Sequence, residues 1–378
     1  MTGRPVRPGR PQRRQGARGE PAQQPTLHDV SRLAGVSRMT VSRVIRDQGA
    51  VLPATRERVR QAIAELGYVP DRAAGSLASR RTGFVALMLP TLTNANFAAV
   101  AHGITDALRP ADYHLLIAYT NYSISEEERQ LGKLLARRPE ALILTGALRS
   151  PAASRMLLSA GIPVIEIADL PRHPIEHAVG FSNYEAGRVA ARYLMARGFQ
   201  RIGAIASSPE GDVIDHRGEA RMRGFEDELT HCGRPVAGVL RQGHAPVSYD
   251  HGRDMAPRVL ELRLDAVFAV SDLSAVGLVM ECQRRGVRVP DDLSVMGFGD
   301  FDIGHQINPP LTTVHVDFRA LGTQAGLLIR ELLRADSRVP ARVIDVGLQV
   351  VERASVGRPP LSSTPRVFPL PHPWHPHE

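Results

Sequence analysis

Across residues 26–70, apolar side chains recur three and four positions apart. Val30, Leu33 and Ala34 make one short stripe, Val41, Val44 and Ile45 a second, and Val59, Ile63 and Leu66 a third. That period marks amphipathic helices. The punctuation agrees: Thr26 with Asp29 reads as a capping box, Gly35 as a stop, Ser37 as the next cap, and Pro53 as the first turn of a helix ending near Leu66. The two caps stand about eleven residues apart with a glycine in the turn, the spacing of a helix-turn-helix. After residue 83 the pattern changes to short apolar runs: Phe84–Leu89, Leu115–Ala118, Ala141–Leu144, Val164–Ile167, Ala178–Phe181, Ile202–Ala206, Val236–Leu240, Ala266–Val270, Leu293–Gly297 and Thr313–Val316. Amphipathic stretches such as Phe97–Leu108, Glu126–Arg137 and Ala320–Leu333 fall between them. This alternation predicts parallel sheets wound with helices on both faces, with too many strands for one small sheet. The expected fold class is α/β: an N-terminal all-α helix-turn-helix domain over 26–70, then a two-lobed core of doubly wound parallel sheets.

If Val41, Val44 and Ile45 face inward, then Arg38, Met39, Thr40, Ser42 and Arg43 are left on the outside of the second helix. In a helix-turn-helix those positions meet base edges and phosphates in the major groove. Arg pairs with guanine through two hydrogen bonds, whereas Met39 offers only apolar contact, for instance with a thymine methyl. Charge sharpens this picture. Residues 1–25 carry six Arg against Glu20, and residues 26–83 carry ten Arg against five acids. The net charge is +8, so everything after residue 83 is slightly acidic. Such asymmetry points to nucleic acid or an anionic surface, or to a solvated basic tail.

Other classes are disfavoured. Residues 1–25 lack the apolar stretch of a signal peptide and no run is long enough to span a bilayer, so a cytoplasmic protein with no membrane partner is expected. Cys232 and Cys282 read as ordinary thiols. Residues 1–25, a basic arm, and the Pro-rich 357–378 are expected to be disordered. His372, His375 and His377 have no carboxylate or Cys at ligand spacing, so no metal and no cofactor is expected. Gly297 and Gly299 are only a fragment of a dinucleotide fingerprint, and no Gly-x-Ser-x-Gly elbow occurs, so the chain does not read as an enzyme.

TLHDVSRLAGVSRMTVSRVIR, followed by GYVPDRAAGSLASRRTGFVALMLP, resembles the lac-repressor (LacI) family of bacterial transcription regulators. The likeness continues through LPTLTNANF, VGFSNYEAG, RMRGF, VSDLSAVG, VPDDLSVMGFGDFDIG and PPLTTVHVDF, and spans roughly residues 26–353. Within the family, SRMTVSR, LPTLTN, VGFSN, ECQRRGVRVPDD and the FDIG stretch are most similar to gluconate-operon repressors. The resemblance implies a homodimer on a near-palindromic operator, with Thr26, Leu27 and Ser37 joining the DNA surface. Residues 71–82 would be a hinge that becomes helical on DNA, with Ala74 keeping it slim and Leu77 entering the minor groove as an apolar wedge. Asp71 and Gly75 depart from the family pattern there.

Residues 83–356 resemble periplasmic sugar-binding proteins, with chain crossovers expected near 182, 309 and 338. A ligand would lie outside the carboxyl ends of the strands. The loops there, read through the resemblance, nominate Thr93, Asn94 and Phe97, then Tyr119, Glu166, Asp169 and Phe181, and in the second lobe Arg221, Asp272 and Asp300. Arg221 aligns with the family arginine that grips ligand oxygens. Gly299 stands where the family commonly has an Asp, which leaves the pocket less anionic. The implied function is a transcriptional repressor answering to a sugar acid such as gluconate or a phosphorylated derivative. A neutral sugar or nucleoside is the alternative, and a transport or receptor sugar-binding protein is disfavoured by the helix-turn-helix.

Overall fold

A computed structural model describes residues 24–70, 82–146, 149–337 and 339–358, in two compact units, Met1–Arg81 and Thr82–Glu378. The hinge residues Ala74 and Leu77, the arm through residue 23 and the tail from 359 lie outside the described residues.

The first unit is three helices: α1 (Leu27–Ala34), α2 (Arg38–Ile45) and α3 (Pro53–Leu66). Thr26 and Asp29 form the expected capping box, Ser37 Oγ accepts from Thr40 N at 3.1 Å, and Gly35 ends α1 in the left-handed region at φ 62°. Glycine takes that conformation most readily, since it has no Cβ. Val30, Ala34, Val41, Val44, Val59 and Ala62 make the buried cluster. Two stripe assignments change. Leu33 is exposed, because on α1 it sits about 80° round the helix from the Val30–Ala34 line. On α3, Ala62 is buried while Ile63 and Leu66 are half-buried.

The second unit holds two six-stranded sheets. The first runs β11 (Val343–Asp345), β5 (His177–Gly180), β4 (Val164–Ile167), β3 (Ala141–Thr145), β1 (Phe84–Leu89), β2 (His114–Tyr119). The second runs β12 (Gln349–Val351), β10 (Thr312–His315), β9 (Ser294–Phe298), β8 (Ala266–Ala269), β6 (Ile202–Ala206), β7 (Gly238–Arg241). All pairings are parallel except β10 with β12. Strand order reverses beside β1 in one lobe and beside β6 in the other, which opens a crevice at their carboxyl ends. The chain crosses between sheets after β5, again at 316–317 and again at 346–348, so the crossings expected near 309 and 338 fall one element later. Phe181 packs at 5.8 Å from both Phe298 and Phe318, giving the junction an aromatic floor. No described helix is long and apolar enough to cross a membrane.

Candidate functional site

On α2, the two valines that face inward fix what faces outward. Arg38 and Arg43 are exposed, Met39 is 66% exposed, and Thr40 and Ser42 are half-buried. Among the described residues neither Arg38 nor Arg43 has an ion-pair or hydrogen-bond partner for its guanidinium. The Ser37 and Thr26 hydroxyls serve the caps, so each is tied to its own helix start. Hydrogen bonds from Thr26 hold the Asp29 carboxyl below its usual range. Leu27 packs half-buried against the helical core rather than standing free. The outer face thus offers two uncompensated guanidiniums, two short hydroxyls and one apolar side chain.

The crevice of the second unit is lined from both lobes. Thr93, Asn94, Phe97, Phe181 and Arg221 meet there, as the strand-end loops predict, together with Tyr122, Asp215, Arg217, Ser271 and Phe298. Its atom-free volume is about 590 Å³ including the open mouth.

Arg221 is held from three sides. It projects from α8 (His216–His231), which touches α7 (Asn183–Ala196) backbone to backbone: a Cβ on Gly187 would stand 1.8 Å from the Arg221 carbonyl oxygen. Its Nε donates to Val270 O at 2.9 Å, its Nη1 donates to Asn183 Oδ1 at 2.5 Å, and its plane lies 4.1 Å over the Phe298 ring. Among the described residues Nη2 has only Asp215, at 3.9 Å. Burial lowers the guanidinium to about 10, against the pull of Asp215, so it remains a cation at neutral pH. Arg217, one turn earlier, lies 5.6 Å over Phe97 and 5.7 Å over Tyr122 with no acid in ion-pair range among the described residues. Two guanidiniums therefore face one carboxylate.

Five nominated residues are placed elsewhere. Tyr119 ends β2 and is 46% exposed outside the crevice. Tyr122, at φ 64°, takes the lining position, and burial followed by Asp215 pushes its phenol up to about 12. Glu166 is buried and accepts from Arg149 Nη2 at 2.8 Å and Ile175 N at 2.6 Å. Asp169 accepts from Asn183 Nδ2 at 3.2 Å and so supports Arg221 at one remove. Asp272 is wholly buried and accepts from Phe301 N at 2.9 Å and Thr313 Oγ1 at 2.7 Å; burial pushes its carboxyl up to about 7. Asp300 turns to Arg353 at 2.6 Å, His315 at 2.9 Å and His305 at 3.0 Å. Burial alone would raise that carboxyl, but Arg353 and His305 outweigh it and hold it below its usual value. These carboxylates tie loops to the fold.

Gly299 explains the altered loop. At φ 121° its Cβ would stand 2.8 Å from the Phe301 ring and 2.9 Å from Asn96 Nδ2, which donates to the Gly299 carbonyl across the lobes. An aspartate cannot sit there without moving the loop. The residues missed in the sequence, Asp215 and Arg217, follow the apolar run of β6 at the start of a helix, the one signal that marks them. Tyr122 is set by the rim: Ser123 Oγ and Ser125 N donate to Asp212 Oδ2 at 2.8 and 3.0 Å, and Ile214 N donates to the Tyr122 carbonyl at 3.1 Å.

Comparison with known proteins finds family matches in both units. Residues 26–71 match the bacterial regulatory proteins of the lacI family, and residues 191–356 match the periplasmic binding protein-like domain. The HTH-type transcriptional regulator GntR of Escherichia coli K12 is 32% identical over 334 residues, covering 88% of this chain and 98% of that one. GntR of Pseudomonas aeruginosa is 35% identical, covering 88% and 95%. Among solved structures, a LacI-family transcriptional regulator from Silicibacter pomeroyi is 33% identical with a TM-score of 0.82 over 88% of this chain and 99% of that one. A CelR–cellobiose complex is 31% identical with a TM-score of 0.61 over 88% and 99%. The outer face of α2, the two-lobed core and these relatives together place the chain in the lacI family of DNA-binding bacterial transcription regulators.

Proposed function

We propose that the protein is a transcriptional repressor whose operator affinity is set by a sugar acid bound in the crevice. The observation that carries this is the charge of the crevice: Arg221 and Arg217 against Asp215, with Gly299 in place of a further carboxylate. A guanidinium takes a carboxylate through two charge-assisted hydrogen bonds. A homodimer would set one α2 into each half-site of a near-palindromic operator through Arg38, Met39, Thr40, Ser42 and Arg43. A coupling of about 1–3 kcal/mol between crevice and operator changes affinity roughly 5- to 150-fold.

The test is thermal stabilisation by a panel of gluconate, phosphorylated gluconate, neutral sugars and nucleosides, with Arg221→Ala beside wild type. Ligand at a hundred times its Kd adds about 2.7 kcal/mol. Stabilisation by an acid in wild type and none in the variant is the expected result. The second reading, a neutral sugar, is favoured by the relative solved with cellobiose and by Asp215 as a hydroxyl acceptor. Stabilisation by neutral sugars alone would establish it instead.

A further inference from the structure

Beside the crevice lies a second, smaller compartment of about 350 Å³ of atom-free space, and Tyr122 and Arg217 line both. Thr120 follows β2, Thr145 ends β3, and Glu127 stands in the first turns of α5 (Ile124–Ala136). His216 and Arg217 reach in from the start of α8. Both lobes therefore build it, again at carboxyl strand ends, where such folds bind ligands.

Two of its polar atoms are shielded from solvent without a hydrogen bond among the described residues: Glu127 Oε1 and His216 Nε2. Glu127 is 9% exposed. Its nearest guanidinium atom, Arg149 Nε, stands 3.7 Å away and also makes no hydrogen bond, since Arg149 turns its Nη2 to Glu166 at 2.8 Å and to Gly146 O. Native folds rarely leave buried acceptors unpartnered, and a carboxylate buried without a close donor is costly. A group that brings hydroxyl donors resolves both atoms at once.

We propose that this compartment seats the hydroxyl-bearing, unphosphorylated end of the effector, whose carboxylate lies on Arg221. The chain of a polyhydroxy acid passes Arg217 and Tyr122, donates a terminal hydroxyl to Glu127 Oε1 and pairs another with His216 Nε2. This rests on the sugar-acid reading and adds to it which end lies where. An ionised carboxylate only accepts hydrogen bonds. A phosphate brings acceptors and so leaves Glu127 Oε1 without a donor, while Arg149 and Arg217 offset the charges of Glu127 and Glu166 there. Burial pushes Glu127 up to about 7, and hydroxyl donors would favour its ionised form.

The experiment is calorimetric titration of the full-length protein at pH 8 with glycerate, threonate, xylonate, gluconate and gluconate phosphorylated on its terminal hydroxyl. In wild type, affinity should climb with chain length and fall on phosphorylation. Glu127→Gln should weaken gluconate roughly tenfold or more, leave glycerate unchanged and narrow the gap to the phosphorylated acid. His216→Ala should show the same selective loss, and carries the test if Glu127→Gln fails to fold. Glycerate binding as tightly as gluconate, or a variant that weakens every acid by one factor, would overturn the compartment while the sugar-acid reading stands. If no acid binds wild type, that reading fails and this one with it.

Discussion

The arginines of α2 and the arginine of the crevice carry the same charge and are built in opposite ways. Arg38 and Arg43 stand exposed on a helix of eight residues, with no ion-pair partner among the described residues. Arg221 is 7% exposed and fixed by a carbonyl, an amide and an aromatic ring. The difference follows from the ligands. A duplex presents phosphates at a regular spacing, and loosely held cations gain by releasing its counterions. A small acid offers one carboxylate, and affinity for it depends on a donor already in position.

The sharpest way to break this contrast is Arg221→Ala. Acid affinity should fall by about 2–5 kcal/mol, read by calorimetry. Arg221→Lys should not restore it, because one ammonium cannot reproduce the separate contacts of the guanidinium plane. Restoration by Lys would mean that charge alone suffices.

Next is the carboxylate behind the crevice. Burial raises Glu127 from 4.5 to about 7, so the folded state favours its neutral form. That contribution is fully present below pH 4.5 and is lost as pH rises through 7. Relative to Glu127→Gln, which stays neutral, wild type should lose up to about 3 kcal/mol of stability across that window, read by denaturation without ligand. A flat difference would mean that Glu127 is paired at all pH values.

A smaller effect tests how Arg221 is positioned. Gly187→Ala puts a methyl into the Arg221 backbone, so stability should drop by roughly 1–3 kcal/mol and acid affinity should fall with it. Unchanged acid affinity in the folded variant would show that the helix contact does not set the arginine. The smallest effect on stability belongs to α2. Arg43→Ala should leave unfolding within about 0.5 kcal/mol of wild type. It should lower the salt slope of DNA binding by about 0.9. An unchanged slope would remove Arg43 from the phosphates.

The same contrast decides what could be read from the chain. The outer face of α2 follows from two buried valines, because one helix carries the whole pattern. The crevice is assembled from strand-end loops more than a hundred residues apart, and such loops hold two kinds of carboxylate. Asp272, Asp300 and Glu166 sit at or near the carboxyl ends of strands but turn inward to backbone amides, hydroxyls and arginines, and spacing cannot tell these from ligand groups. Arg221 was legible only through its motif. The core strands were legible because they are buried apolar runs, whereas β11 and β12 are three residues each and carry no such run. The crossings expected near 309 and 338 lie one element later because β10 and β11 each still pair within the sheet that the chain then leaves.

The central claim is that an acid held by Arg221 is coupled to DNA held by α2. Its most direct test is fluorescence anisotropy on an operator selected by the protein from a random-sequence pool, titrated with the acid that stabilises it best. The account predicts that saturating acid changes operator affinity roughly 5- to 150-fold in wild type and leaves Arg221→Ala unmoved. An operator affinity indifferent to a bound acid, or shifted equally in both proteins, would contradict it.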